Sequence, residues 1–135
     1  MTDRPFVIVI DDDPSVCKAV RRLLRIAQMD VETYSSAENF LLAVLARTPD
    51  CLVLDVRMPG ITGPELRDQM HDAGRHTPIV FITAHDEEVP PGRGSGAGTA
   101  EVLLKPFGDE ALLGAIGRAI RRSYGGPDDA PVLST

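Results

Sequence analysis

The chain has 135 residues, the length of one domain of ordinary size. Hydrophobic residues make up 43% and charged residues 25%, which sets it apart from disordered and disulfide-framed chains and allows a real core. Its 14 basic and 20 acidic residues leave a net charge of −6, so a direct electrostatic grip on nucleic-acid phosphates is not expected. The longest apolar run, Phe40 to Ala46, falls far short of the ~20 residues of a membrane helix, and no basic-then-apolar leader opens the chain. The expectation is a cytoplasmic domain with neither a nucleic acid nor a membrane as direct partner.

In chain order, Phe6-Val7-Ile8-Val9-Ile10 is a β-branched run that predicts a strand covered on both faces. After Asp13-Pro14, where the acid can cap and the proline fits the first turn, Val16, Val20, Leu23, Leu24 and Ala27 repeat at helical spacing. Val31 to Tyr34 alternates apolar and polar, as a strand near a sheet edge does. Ser35-Ser36-Ala37-Glu38 reads as a capping box ahead of a helix carrying Phe40, Leu41, Val44 and Leu45. Cys51-Leu52-Val53-Leu54 is a third strand. Gly63-Pro64 opens a third helix through Leu66 and Met70, which Gly74 can end. Ile79-Val80-Phe81-Ile82 and Val102-Leu103-Leu104 are the fourth and fifth strands, continuous apolar runs that, like the first and third, predict cover on both faces. Asp109 caps a last helix with Leu112, Leu113, Ile116 and Ile120 inward and a basic final turn.

Strands alternating with helices predict an α/β fold, a doubly wound five-stranded parallel sheet in the order 2-1-3-4-5. One element is missing. Of the chain's 12 glycines and 11 prolines, a dense cluster lies in Pro90 to Gly98, where a fourth helix would stand. A regular helix there is disfavoured, at ~1 kcal/mol for each interior Gly and ~3 kcal/mol for each Pro. Cys17 and Cys51 show no metal-binding or redox spacing and read as reduced, buried thiols.

In an open parallel sheet ligands sit beyond the carboxyl ends of the strands, where the strand order reverses. Strand one runs into Asp11-Asp12-Asp13, strand three into Asp55, strand four into Thr83 and strand five into Lys105-Pro106. Asp13 is assigned to the helix cap. Asp11, Asp12 and Asp55 would bring three negative charges together against the single Lys105, a crowding that a hard divalent cation relieves. Carboxylates, a backbone carbonyl and waters suit Mg²⁺. A carboxylate beside such a cation, with a hydroxyl and an ammonium near, can act as a nucleophile toward a phosphoryl group.

Taken together, Asp11-Asp12, Leu54-Asp55-Val56-Arg57-Met58-Pro59-Gly60 with Gly63, Ile82-Thr83-Ala84 and Leu104-Lys105-Pro106-Phe107 resemble the receiver domain of two-component response regulators. Ser36-Ala37-Glu38 and Thr83-Ala84-His85 are most similar to receivers often joined to helix-turn-helix output domains. The resemblance implies a flavodoxin-like receiver over residues 1–124; within it the Gly/Pro stretch predicts an irregular loop at 86–100, and the polar, turn-rich end predicts a flexible tail at 125–135. It implies that Asp55 accepts a phosphoryl group from a sensor histidine kinase or a phosphotransfer protein. It further implies a Mg²⁺ held by Asp12 directly, by Asp11 mostly through water, by Asp55 and by the backbone carbonyl of Arg57. Thr83 would bond the phosphoryl group through its hydroxyl and Lys105 through its ammonium, aimed by a cis Lys105-Pro106 bond. Arg57 and His85 resemble positions that tune acyl-phosphate hydrolysis, and Ala84 leaves the site accessible. His71 and His76 read as solvated residues near the end of the third helix.

Two departures stand out. Where the family usually carries a Tyr or Phe that turns inward on switching, this chain has Val102, and the Gly/Pro stretch occupies the place of the fourth helix. The resulting expectation is a domain that is no enzyme beyond catalysing its own phosphorylation and dephosphorylation. Its output would be atypical, through a downstream protein or a homodimer, with the signal carried by residues 86–100. The alternative is a pseudo-receiver that binds partners without switching. A phosphatase-like hydrolase is disfavoured because the second acid it needs two residues beyond the nucleophile is here Arg57.

Overall fold

The structure, a computed structural model, describes residues 4–85, 89 and 101–125. The β-branched runs form the strands they predict: β1 (Phe6–Ile10), β2 (Asp30–Tyr34), β3 (Cys51–Asp55), β4 (Ile79–Thr83) and β5 (Glu101–Leu104). All pair in parallel, in the order β2-β1-β3-β4-β5. Four helices are described: α1 (Pro14–Ile26), α2 (Ala37–Leu42), α3 (Gly63–Asp72) and α4 (Asp109–Gly125). The expected irregular loop at 86–100 and the tail beyond 125 lie, but for Val89, outside the described residues.

Strand periodicity divides the core into two layers. Ile8, Ile10, Leu52, Leu54 and Phe81 point to the face covered by Phe40 of α2 and by Leu66 and Met70 of α3. Their neighbours Val7, Val9, Val53, Val80 and Ile82 point to the face covered by Val20 and Leu24 of α1 and by Leu112, Ala115 and Ile116 of α4. β1 and β3 are therefore buried along their whole length. At roughly 1.5–3 kcal/mol for each fully buried aliphatic side chain, these layers are the main force holding the sheet.

Local signals act largely as read. Asp13 caps α1 by accepting the Ser15 N–H at 2.9 Å, with Pro14 in the first turn. α3 opens at Gly63-Pro64 and stops before Gly74. Four readings need correction. The capping box belongs to α3, where Thr62 and Glu65 bond each other's backbone N–H; at α2 the cap is Ser36, which accepts the Asn39 N–H, and Glu38 turns elsewhere. α2 does not reach Val44 and Leu45: the chain leaves the helix at Ala43 (ψ 143°), which exposes Val44 and lets Leu45 return to the core on its way to β3. Gly108, whose carbonyl accepts the Leu112 N–H, precedes α4, so Asp109 sits in the first turn rather than capping it. The fifth strand is not covered on both faces, because Val102 is 41% and Leu104 49% exposed. β5 is tied to α4 by Glu101, which takes two bonds from Arg118 at 3.0 and 3.1 Å and one from Arg122 at 2.7 Å.

No described helix is long and apolar enough to cross a membrane.

Candidate functional site

From β1 the chain crosses to β2 on one side, and from β2 it returns past β1 to β3 on the other, so a crevice opens at the carboxyl ends of β1 and β3. Strand register delivers the polar residues to it. Ile10 pairs with Leu54, so Asp11 and Asp55 follow side by side; Asp55 pairs with Ile82, and Thr83 with Leu104, which places Thr83 and Lys105 at the next rims. Backbone bonds carry the sheet pairing up to the rim of the crevice: Asp11 N–H to Tyr34 O at 3.2 Å, Val56 N–H to Ile82 O at 3.0 Å and Lys105 N–H to Thr83 O at 2.7 Å.

Asp11 is fully buried and both its carboxylate oxygens are engaged, Oδ1 by the Asp13 N–H at 2.9 Å and Oδ2 by Lys105 Nζ at 2.8 Å. Lys105 Nζ also stands 3.8 Å from Asp55 Oδ1. Asp11, Asp12 and Asp55 each offer an oxygen within 4.8 Å of the others. Burial first, then the charge of Asp11, push the Asp55 carboxyl up to about 7, against the pull of Lys105. Burial alone would lower Lys105, but its bond to Asp11 and the surrounding acids raise it above the ordinary lysine value. Three carboxylates against one ammonium leave a deficit of positive charge that an oxygen-loving divalent cation fits, so the residues present suit Mg²⁺.

Thr83 is buried and its hydroxyl accepts the His85 N–H at 3.2 Å. Arg57 is exposed on the segment between β3 and α3, whose ends are drawn together by the Gly63 N–H to Val56 O bond at 3.0 Å. Gly63 has no alternative there, since a Cβ would collide with the carbonyl oxygen of Asp55. The Lys105-Pro106 bond is cis. Asp11, Asp12, Asp55, Thr83 and Lys105 thus meet at one end of the sheet.

Two neighbours escaped the sequence reading. Cys17, expected to be a reduced, buried thiol, is only half-buried: it lies on α1 under the site, its Sγ 3.3 Å from the Asp11 carbonyl, and burial raises its pKa. Cys51 is fully buried in the core, which lifts its thiol to about 12. The other is Glu38, whose carboxylate accepts the Ile61 N–H at 3.0 Å. Its place in the Ser36-Ala37-Glu38 motif was the available signal. His71 and His76 stay near the surface as read, but they pair with each other, Nδ1 to Nδ1 at 3.1 Å. A groove of about 840 Å³ lined by Arg47, Pro49, Arg75, His76 and Pro78 lies at the opposite end, before β3 and β4, away from the acidic crevice.

A family model described as the response regulator receiver domain matches residues 7–117. Response regulator protein TodT of Pseudomonas putida is 38% identical over 135 residues, which cover 99% of this chain and 60% of TodT. The chain therefore spans about 60% of the length of this curated relative. The solved structure of response regulator StyR superposes with a TM-score of 0.78 at 45% identity, over 87% of this chain and 60% of that one. The FixJ-N structure gives a TM-score of 0.75 at 29% identity, over 98% of this chain and 100% of that one. The acidic crevice thus stands on a sheet and a sequence shared with these regulators, and the chain belongs to the response regulator receiver domains of two-component systems.

Proposed function

We propose that Asp55 accepts a phosphoryl group from the phosphohistidine of a sensor histidine kinase or phosphotransfer protein, in a Mg²⁺-dependent reaction, and that this changes the affinity of the domain for a downstream protein or a second copy. An Asp55 carboxylate oxygen bonds to phosphorus as the donor's P–N bond breaks. The electron pair leaves with the imidazole nitrogen, which takes up a proton, and an acyl phosphate forms on Asp55. Asp11, Asp12, Asp55 and the Arg57 carbonyl would hold the cation, which when bound supplies charge for the phosphoryl oxygens. Asp11 serves mostly through water, in keeping with the protein donors on both its oxygens. Lys105, already within 3.8 Å of Asp55, pairs with a phosphoryl oxygen. Thr83 keeps its hydroxyl proton to donate to another, exchanging its contact with the His85 N–H. The chain catalyses only the gain and loss of this group.

The observation that carries this reading is the convergence of Asp11, Asp12 and Asp55 within 4.8 Å beside an ammonium 2.8 Å from Asp11. The same intact set favours chemistry over a non-switching pseudo-receiver. Output takes an atypical route: Val102 stands on the exposed face of β5 where the family's aromatic switch would be, and the segment proposed to carry the signal, 86–100, follows the Thr83 rim. The test is incubation of the full chain with acetyl phosphate, with and without Mg²⁺. The wild type gains one phosphoryl group only with Mg²⁺, Asp55→Asn gains none, and the two forms are compared by size. Wild-type protein that stays unlabelled with Mg²⁺ present overturns the proposal.

A further inference from the structure

The cation shell inferred above includes a backbone carbonyl, that of Arg57. A carbonyl cannot be tuned by changing its own side chain, so its placement depends on what holds the segment around it. Three anchors are visible. The ends, Val56 and Gly63, are bonded to each other. Met58 is buried in the core. The outer half, Gly60-Ile61, is held by a residue from a different element, Glu38 in the first turn of α2, whose Oε2 accepts the Ile61 N–H at 3.0 Å. Gly60 is shaped for this contact: its φ is 78°, and a Cβ there would collide with the Glu38 carboxylate. Glu38 thus lies directly against two consecutive residues of the metal-site segment, although it is exposed and offers nothing to the core.

We propose that Glu38 is a positioning residue for the metal site: its carboxylate clamps the β3–α3 segment at Gly60-Ile61 and thereby sets the Arg57 carbonyl for the cation. The inference rests on the Mg²⁺ site of the proposed function. Its effect is on cation affinity through geometry, and the negative charge of Glu38 is not the agent.

Three variants separate geometry from charge. Glu38→Ala removes the bond and the charge, Glu38→Asp keeps the charge but shortens the reach by one methylene, and Glu38→Gln keeps the reach and an acceptor oxygen without the charge. Mg²⁺ is titrated into isotope-labelled full chain and followed by the amide shifts of Asp12 and Arg57, and exchange of the Ile61 amide is measured without metal. Loss of one hydrogen bond holding an exposed loop is expected to weaken Mg²⁺ binding about fivefold in Glu38→Ala and Glu38→Asp, which is about 1 kcal/mol at 1.4 kcal/mol per decade. Glu38→Gln is expected to stay within about twofold of wild type, with Ile61 protected as in wild type. Unchanged affinity in Glu38→Ala and Glu38→Asp overturns the inference. So does a pattern in which Glu38→Gln falls with Glu38→Ala while Glu38→Asp matches wild type, because the charge would then be acting. A wild type that binds no Mg²⁺ instead removes the reading on which the inference stands, and the variants are not needed to see it.

Discussion

Replacing Asp55 by Asn is expected to make the metal-free domain more stable, although it destroys the proposed acceptor. Asp55 is 5% exposed at the end of β3, beside the fully buried Asp11, and burial and that neighbour together raise its carboxyl from 3.8 to about 7. A carboxyl whose folded pKa is raised binds more protons folded than unfolded, so stability falls as pH climbs from about 4 to about 7 and stays low above. At about 1.4 kcal/mol per pH unit the full rise corresponds to about 4 kcal/mol. That rise already includes the pull of Lys105, 3.8 Å away; with relaxation of the fold around the ionised carboxylate, a net gain of about 2 kcal/mol is expected at pH 8. Urea unfolding in a chelator, at pH 4 and pH 8, measures it. The gain should be close to absent at pH 4, where the wild-type carboxyl is protonated in the fold, and should shrink when saturating Mg²⁺ stabilises the wild type. An Asn variant no more stable than wild type at pH 8, or one equally stabilised at pH 4, refutes the reasoning.

Gly63→Ala forces a Cβ against the Asp55 carbonyl oxygen, backbone against backbone; a loss of about 1–3 kcal/mol in unfolding free energy and slower labelling of Asp55 are expected, and normal values for both would refute the contact. Glu101→Gln weakens the clamp between β5 and α4. Bonds from Arg118 and Arg122 lower the Glu101 carboxyl below its usual value, so its contribution is present above the ordinary glutamate range and lost as pH falls through the depressed one. The variant should melt earlier than wild type at pH 7, less so in high salt, and at the same temperature once the pH is low enough to protonate Glu101 in the folded wild type; a difference that persists in acid would refute it.

Much of the fold was legible because the local and tertiary signals agree. The runs Phe6–Ile10, Cys51–Leu54 and Ile79–Ile82 are buried on both faces, so no polar position interrupts them, and Asp13-Pro14 acts within one turn of itself. The end of α2 was not legible, because Phe40 to Ala46 is apolar throughout and carries no mark where helix gives way to loop. The exit at Ala43 is decided by Leu45 finding the core, at the cost of leaving Val44 99% exposed. Glu38 was misassigned for a related reason: Ser35 and Glu38 have capping-box spacing, but the carboxylate finds a better donor, the Ile61 N–H, in another element.

The site shows the same division. Sequence alone determined which residues end the strands, Asp11, Asp12, Asp55, Thr83 and Lys105, and the charge imbalance that makes a cation the natural complement, since charge and residue order do not depend on folding. Only the tertiary structure decided how they meet. Parallel register sets Asp11 beside Asp55, burial raises one carboxyl while the ammonium of Lys105 goes to the other at 2.8 Å, and α2 reaches across to hold the segment bearing Arg57. These depend on distances across residues far apart in the chain, and such distances exist only once the two core layers have closed on the sheet.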